Sequence, residues 1–418
     1  MSMEYGLIGA RLGHSFSPAI HLEMGKYDYR LTELTPEEVP PFLREKAFKG
    51  INVTIPYKQT VMPFLDEISE TARRIGSVNT IVRGEDGRLR GYNTDYAGFR
   101  GMLQRGGLHP AGKKCLVLGS GGASRTAAVC LRDLGASEVR VISRSGEDNY
   151  LNLERHRDAR LLVNATPVGM YPNNGAAPLD LSVFPDLEGV ADLIYNPART
   201  ALLLAAEARG IPFINGLYML TAQARDACEL FLGKQIPEAE AERTAGILAR
   251  QTGNIILTGM PGSGKTTVGR ILARQTGRQL LDTDEMIEQK TGISCGEIIR
   301  QQGEDAFRAL ETETLREAGK RTGIILATGG GIVVRPENRD LLRQNGLLFH
   351  LEREMDETTL EPGRPLSDSR EKWVRLYAAR KPLYEAWRDV PIHNTQPEAA
   401  AAEILTEWER RAPGLAGL

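Results

Sequence analysis

Cysteine is scarce. Four residues, Cys115, Cys130, Cys228 and Cys295, are scattered over 418 positions with no CxxC pair. That argues against a disulfide framework and reads as reduced thiols in a cytoplasmic protein. The six histidines are equally dispersed, with no HExxH and no Cys/His cluster, so no structural metal is expected. No run of about 18 apolar residues occurs, and no helical membrane span is expected. The first residues, MSMEYGLIGARLGHS, show no basic stretch leading into an apolar one, so no secretory leader is expected either. A basic excess is also missing. Lys plus Arg is 52 against 54 Asp plus Glu, a net charge of −2, which argues against nucleic acid as the main partner. No solenoid repeat is evident.

What is present is an ordinary enzyme composition, 41% hydrophobic and 25% charged. Its length predicts about three domains. Glycine is enriched, at 44 of 418 residues. It shows no collagen-like period and points to phosphate loops and backbone-lined turns.

Residues 1–95 alternate short strands (EYGLI, GINVTI) with helices, one opening at Ser17-Pro18 and running to Gly25. SVNTIV and RLRGYN flank a turn at 84–87 and read as a hairpin. Residues 96–215 alternate strands (CLVL, EVRVIS, LLVNAT, GVADLIY, PFINGL) with helical patterns, which predicts a parallel sheet with helices on both faces. Residues 216–232 read as a helix returning to the first domain, which then comprises 1–95 plus 216–245. The polar stretch 233–253 reads as a linker or helical connector. A new α/β series over 254–410 starts with NIILT and continues through RQLLDTD, GIILATGGG, GLLFHL and VPIHN.

GMPGSGKT at 259–266 follows a strand and opens a helix, the context a phosphate-binding loop requires. Its glycines let backbone N–H groups converge on phosphate oxygens. Lys265 would reach the β- and γ-phosphates, and the Thr266 hydroxyl would hold Mg²⁺. Asp282 and Asp284 alternate across the next strand end, one suited to the metal and one to an acceptor. Arg308, Arg364 and Arg380, with the glycines of TGGG, suit an anionic acceptor.

In order along the chain, GMPGSGKTT, LDTDEMIE, FRALE, TGGG, GRPL and ARKPLYE give residues 253–410 a form that resembles shikimate kinase. The resemblance implies transfer of the ATP γ-phosphoryl group to the 3-hydroxyl of shikimate, on a P-loop α/β domain like that of nucleoside monophosphate kinases. It implies that Gly262, Ser263, Gly264, Lys265, Thr266 and Thr267 cradle ATP, and that Thr266 and Asp282 serve Mg²⁺. Asp284 becomes the candidate base at the acceptor hydroxyl. Arg308 and Arg380 would bind the shikimate carboxylate, Gly330 would add a backbone contact, and Arg364 would act from a lid. The segment EREMDETTLEPGRPLS is shorter and more acidic than the family's lid, and Gln396 stands where many members carry an arginine near the adenine.

In the first half, GSGGAS at 119–124 is G-x-G-x-x-S between a strand and a helix, with Ser124 in place of the third glycine of a dinucleotide fingerprint. The next strand ends in Ser143-Arg144-Ser145, where NAD enzymes commonly place an acid. An arginine and two hydroxyls suit the 2′-phosphate of NADP. Lys58, after GINVTIPY, and Asp95, in GYNTD, each follow a strand; a lysine with a carboxylate nearby can move a proton.

HSFSP, GINVTIPYK, SVNT, GYNTD, GSGGAS, SRS, NATPVGM, LIYNPART and NGLYMLTAQA together make residues 1–245 similar to shikimate dehydrogenase. This implies an α/β substrate domain plus a Rossmann domain, and reversible hydride transfer from NADPH to 3-dehydroshikimate. Lys58 and Asp95 become the catalytic pair. Ser15, Ser17, Thr54, Asn79, Asp95, Tyr195 and Gln223 would hold the substrate. Gly119, Ser120, Gly121, Gly122 and Ala123 would carry the pyrophosphate, and Ser143, Arg144 and Ser145 the adenosine phosphate. Leu193, Gly216 and Met219 would flank the nicotinamide. Tyr218 stands where the family commonly has glycine, which implies different nicotinamide packing.

The combined expectation is a two-activity enzyme of aromatic precursor synthesis, using NADP(H), ATP and Mg²⁺ on the small molecules 3-dehydroshikimate and shikimate. No nucleic acid or membrane partner is expected, and the chain is expected to be a monomer or homodimer. The alternative is a quinate/shikimate dehydrogenase whose second half is a kinase-like ATP-binding regulatory module.

Overall fold

The structure is a computed structural model and describes residues 4–13, 15–353 and 369–417. It contains three sheets. The first uses β1 (Tyr5–Gly9), β2 (Tyr29–Glu33), β3 (Gly50–Val53), β4 (Glu67–Ile68), β5 (Thr80–Arg83) and β6 (Leu89–Tyr92) in the order β2-β1-β3-β5-β6-β4. β1 pairs in parallel with β2 and β3, while β5 is antiparallel to β3 and to β6. The hairpin closes at Arg83 opposite Leu89. The helix Ser17–Gly25 has the predicted bounds.

The second sheet is wholly parallel. It consists of β7 (Lys114–Leu118), β8 (Glu138–Ile142), β9 (Leu161–Asn164), β10 (Gly189–Asp192) and β11 (Phe213–Ile214), ordered β11-β10-β9-β7-β8. In chain order this is 2-1-3-4-5, because β9 returns to the other side of β7. The topological switch therefore falls between β7 and β9, where ligands of doubly wound sheets bind. Gly119 after β7 meets Ala165 and Thr166 after β9: a Cβ on Gly119 would lie 3.1 Å from the Ala165 carbonyl oxygen.

The third sheet has β12 (Asn254–Thr258), β13 (Leu280–Asp282), β14 (Ile325–Ala327), β15 (Gly346–Glu352) and β16 (Val390–His393) in the order β13-β14-β12-β15-β16, again all parallel. β12 is central and buried throughout, so the loop after it sits at the middle of the sheet's C-terminal edge.

The helix Leu217–Leu232 returns to the first sheet. Tyr5 donates to the Phe231 carbonyl, and a Cβ on Gly50 would strike the Phe231 ring. Of the two readings of 233–253, the structure has the helical one, a helix over Glu238–Thr252. Its buried face is made of small residues, Ala241, Ala245, Gly246 and Ala249, with Leu248. Such a face lets neighbours approach closely. One apolar core consequently runs from Ile20 and Leu217 through Ala245 and Ala249 to Leu257, Trp408 and Leu415, joining the two halves. Among the described residues no helix is long and apolar enough to cross a membrane.

Candidate active sites

Lys58 follows β3 and is tied down by its carbonyl, which accepts the Val78 N–H at 2.8 Å. Asp95 is the first residue of the helix Asp95–Arg105, where the helix dipole favours a carboxylate. The Lys58 Nζ lies 2.5 Å from Asp95 Oδ2, and both side chains are mostly buried. Beside the pair runs a polar chain. Asn79 Oδ1 accepts the Thr94 N–H at 2.7 Å, Asn79 Nδ2 donates to Thr94 Oγ1 at 3.0 Å, and Gln223 Oε1 accepts from Thr94 Oγ1 at 3.3 Å. Asn52 supports it from behind, donating to the Asn79 carbonyl and accepting from Tyr29. Sequence reasoning does not single out Thr94 and Asn52, although both stand inside quoted motifs.

Ser15 and Ser17 hydroxyls are 3.1 Å apart. Between them Phe16 packs on Tyr195, ring centroids 5.7 Å apart, and burial pushes the Tyr195 phenol pKa up. Thr54 lies over Gly9, its N–H bonded to the Ile8 carbonyl.

The Gly-rich turn reaches this site. A Cβ on Gly122 would be 3.4 Å from Ser77 Oγ and 3.9 Å from Lys58 Cδ. The turn opens the helix Gly122–Asp133, whose N-terminus suits a pyrophosphate, and a Cβ on Gly121 would meet nothing within 4 Å. Ser124 is not an open departure from the fingerprint: it is buried, and its hydroxyl donates to the Gly119 carbonyl at 2.6 Å, closing the turn. The Gly119 N–H donates to Ile142, which brings Ser143 beside the turn; Arg144 and Ser145 are exposed next to it. These groups fit a dinucleotide with a 2′-phosphate. Leu193 and Gly216 meet closely, since a Cβ on Gly216 would be 2.1 Å from the Leu193 carbonyl oxygen. Met219 is buried, and its carbonyl lies against Gly98. Tyr218 is buried beside these residues. Its ring packs on Gly101 and its hydroxyl donates to Glu238, so the side chain serves the connector helix.

In the second half, the loop after β12 has left-handed glycines at Gly262 (φ +80°) and Gly264 (φ +87°). Lys265 starts the helix Lys265–Thr276, and its ammonium donates to the carbonyls of Gly259 and Met260, both at 2.9 Å. Thr266 Oγ1 donates to Asp282 Oδ2 at 2.7 Å, bringing two hard oxygen donors together as Mg²⁺ prefers. Ser263 is buried and Thr267 exposed in the same turn. Asp282 and Asp284 do not alternate along a strand. Asp282 ends β13 and caps the next helix, accepting the Asp284 N–H at 3.0 Å, and Asp284 stands in that helix's first turn. Among the described residues no group of three His, Cys, Asp or Glu could hold a metal, so phosphate and water oxygens would complete the shell.

Arg308 and Arg380 are almost fully buried. Arg308 pairs with Glu311 and with Glu304, and Arg380 donates to the Gly330 carbonyl at 2.8 Å, which also accepts from Tyr384. A Cβ on Gly329 would lie 2.7 Å from Asp284 Oδ1, so the glycine strand end, the arginines and Asp284 converge. Glu311 is the residue sequence reasoning passes over. It closes the FRALE motif three positions after Arg308, one face of one helix turn. Asn394, also passed over, donates to the Ser263 carbonyl at 2.7 Å and braces the phosphate loop. Gln396 is exposed at the start of the helix Pro397–Arg411. Arg364 and most of the lid segment lie outside the described residues.

Comparison with known proteins agrees with both halves. Residues 7–81 match the family model of the shikimate dehydrogenase substrate binding domain, and residues 261–409 match that of shikimate kinase. The shikimate dehydrogenase (NADP(+)) of Clostridium perfringens strain 13 is 37% identical over 259 residues, covering 57% of this chain and 95% of that protein. The crystal structure of shikimate 5-dehydrogenase from Thermus thermophilus, in complex with NADP(H) and shikimate, aligns with TM-score 0.54 at 37% identity, over 58% of this chain and 98% of that one. Quinate dehydrogenase from Corynebacterium glutamicum, in complex with NAD, aligns with TM-score 0.53 at 29% identity, over 59% of this chain and 99% of that one.

Proposed function

The chain belongs to the shikimate dehydrogenase family and carries a shikimate kinase domain in the same polypeptide; from that premise we propose that Lys58 and Asp95 drive NADPH-dependent reduction of 3-dehydroshikimate, and Asp284 the ATP-dependent phosphorylation of the shikimate formed. The observation that carries the first activity is the Lys58–Asp95 pair, 2.5 Å apart, beside Gly122 of the dinucleotide turn.

Bound NADPH supplies the hydride. Lys58 as the ammonium gives its proton to the carbonyl oxygen that becomes the C3 hydroxyl, and Asp95 orients the ammonium. Thr94, Asn79 and Gln223 form a rigid hydrogen-bonded row able to face ring hydroxyls. Ser15 and Ser17 hold the carboxylate, with Tyr195 as a wall. Arg144, exposed beside the turn, supports NADPH over NAD.

In the second half, ATP with Mg²⁺ supplies the phosphoryl group when bound. Thr266 and Asp282 would hold the metal, and Lys265 would leave its loop carbonyls for phosphate oxygens. Arg308 and Arg380 fix the acceptor carboxylate. Asp284 takes the proton of the attacking hydroxyl.

One time course tests both. The purified chain receives 3-dehydroshikimate, NADPH, ATP and Mg²⁺, and products are followed by mass spectrometry. Shikimate rising first and its 3-phosphate later is the expected result. Shikimate accumulating with no phosphate would overturn the kinase assignment, and no shikimate would overturn the dehydrogenase assignment.

A further inference from the structure

We propose that Asn345, in the kinase half, is a positioning residue for the dehydrogenase. The segment after β10, Leu193 to Arg199, carries Tyr195, which the proposed function places at the substrate, and Leu193, which the family resemblance implies beside the nicotinamide. It ends against the kinase. Asn345 Oδ1 accepts the Ala198 N–H at 3.0 Å, and the Gln344 carbonyl accepts the Arg199 N–H at 2.8 Å. The Arg199 side chain, buried, donates to the Arg343 carbonyl at 3.2 Å. Asn345 is itself locked: it is 3% exposed, its Nδ2 donates to the Gly319 carbonyl at 3.1 Å, and its backbone carbonyl accepts the Asn254 N–H at 2.8 Å.

On the dehydrogenase side, Asn215 donates both to the Ala198 carbonyl and to the Leu415 carbonyl near the chain's C-terminus, one residue before Gly216. A small cavity closes the junction. Phe16 and Tyr195 face it from one half, and Thr252, Gly253, Thr322 and Asn345 from the other. The kinase base therefore backs the wall on which Phe16 and Tyr195 stack. The Clostridium perfringens and Thermus thermophilus dehydrogenases align over 95% and 98% of their own lengths with about 57% and 58% of this chain, so neither has room for a second half of this size.

The inference rests on the dehydrogenase reading. Its test is Asn345→Ala in the full chain, with both activities measured beside the unaltered protein. The variant leaves the Ala198 N–H without its acceptor, and the segment shifts to find another. The KM for 3-dehydroshikimate is expected to rise about tenfold, the scale of one lost buried partner, while kcat changes less and kinase constants stay unchanged.

Unchanged dehydrogenase constants in Asn345→Ala would overturn the proposal. So would a parallel fall of both activities, which would mark a general structural role. If the unaltered chain reduces no 3-dehydroshikimate, the dehydrogenase reading fails and this inference with it; if it does and the variant matches it, only the inference fails.

Discussion

Lys58 and Asp95 come from different elements, one from the turn after β3 and one from the start of a helix, and meet at 2.5 Å. The approach depends on two backbone anchors, Val78 to the Lys58 carbonyl and Thr94 to Asn79. Removing the ammonium leaves these anchors intact. Lys58→Ala is therefore expected to lower the reduction rate about 10²- to 10⁴-fold, the range of a lost general acid, with folding and kinase turnover unchanged. Steady-state assays of both activities on one preparation check this; a loss below about threefold, far short of that range, would remove Lys58 from the proton path.

Asp284→Asn is the reciprocal case. The side chain keeps its size in the first turn of its helix and loses its charge and its ability to take a proton. Phosphorylation of shikimate is expected to fall about 10²-fold or more, while reduction continues at its normal rate. A variant that phosphorylates normally would make Asp284 a binding residue only.

Gly331 and Arg308 define a steric prediction. Gly331 has an ordinary backbone conformation (φ −106°), so alanine adds no backbone strain there. Its Cβ would nevertheless fall 2.0 Å from the Arg308 guanidinium. That group cannot easily retreat, since Glu304 and Glu311 hold it. Gly331→Ala is expected to raise the kinase KM for shikimate about tenfold, equivalent to roughly 1.4 kcal/mol, and to leave NADPH oxidation untouched. Competitive binding of shikimate measured by calorimetry would show the same loss.

Two buried histidines set an acid limit on stability. His21 stacks on Tyr29 with ring centroids 3.9 Å apart, and burial holds it neutral with its pKa pushed down to about 3. His350 is likewise pushed down to about 3, by burial and then by Arg388 and Lys265. Unfolded histidine titrates near 6.5, so stability is full above that value and is lost as pH falls toward 3. At pH 5 each contributes a loss of about 2 kcal/mol. Urea midpoints at pH 7.5 and pH 5 are expected to differ by an amount that His350→Asn roughly halves. Equal midpoints would mean that neither histidine is kept neutral by the fold.

The legible parts of this chain are those in which one segment carries the whole signal. Lys265 and Thr266 announce themselves because a phosphate loop is contiguous, and Ser17-Pro18 announces a helix start. β2 hides because YRLTE is an edge strand with only Tyr29 buried. The sequence leaves the helix Glu238–Thr252 undecided between linker and helix because it buries mostly alanine and glycine, which form no apolar stripe. Lys58 and Asp95 are visible as residue types, but their meeting depends on two turns separated by most of a sheet. Asn345 is silent for the same reason: an asparagine before a strand has no pattern, and its partner Ala198 is 147 residues away.

The arrangement of the halves bears on what happens to shikimate between them. Asn345, bonded to Asn254 at the N-terminal end of the kinase sheet, faces the dehydrogenase, while the phosphate loop follows the opposite end of β12. The strand between them, Asn254–Thr258, separates the two ends by about 16 Å at roughly 3.3 Å per residue. The kinase presents its base, not its mouth, to the dehydrogenase. Shikimate leaving the first site is therefore expected to cross solvent, where it mixes with the bulk pool. Fusion raises local concentration without enforcing transfer. When isotopically labelled shikimate is added to the running two-step reaction, the label is expected in the 3-phosphate at the ratio of the bulk pool. Product that stays unlabelled while labelled shikimate is abundant would show direct transfer and overturn this expectation.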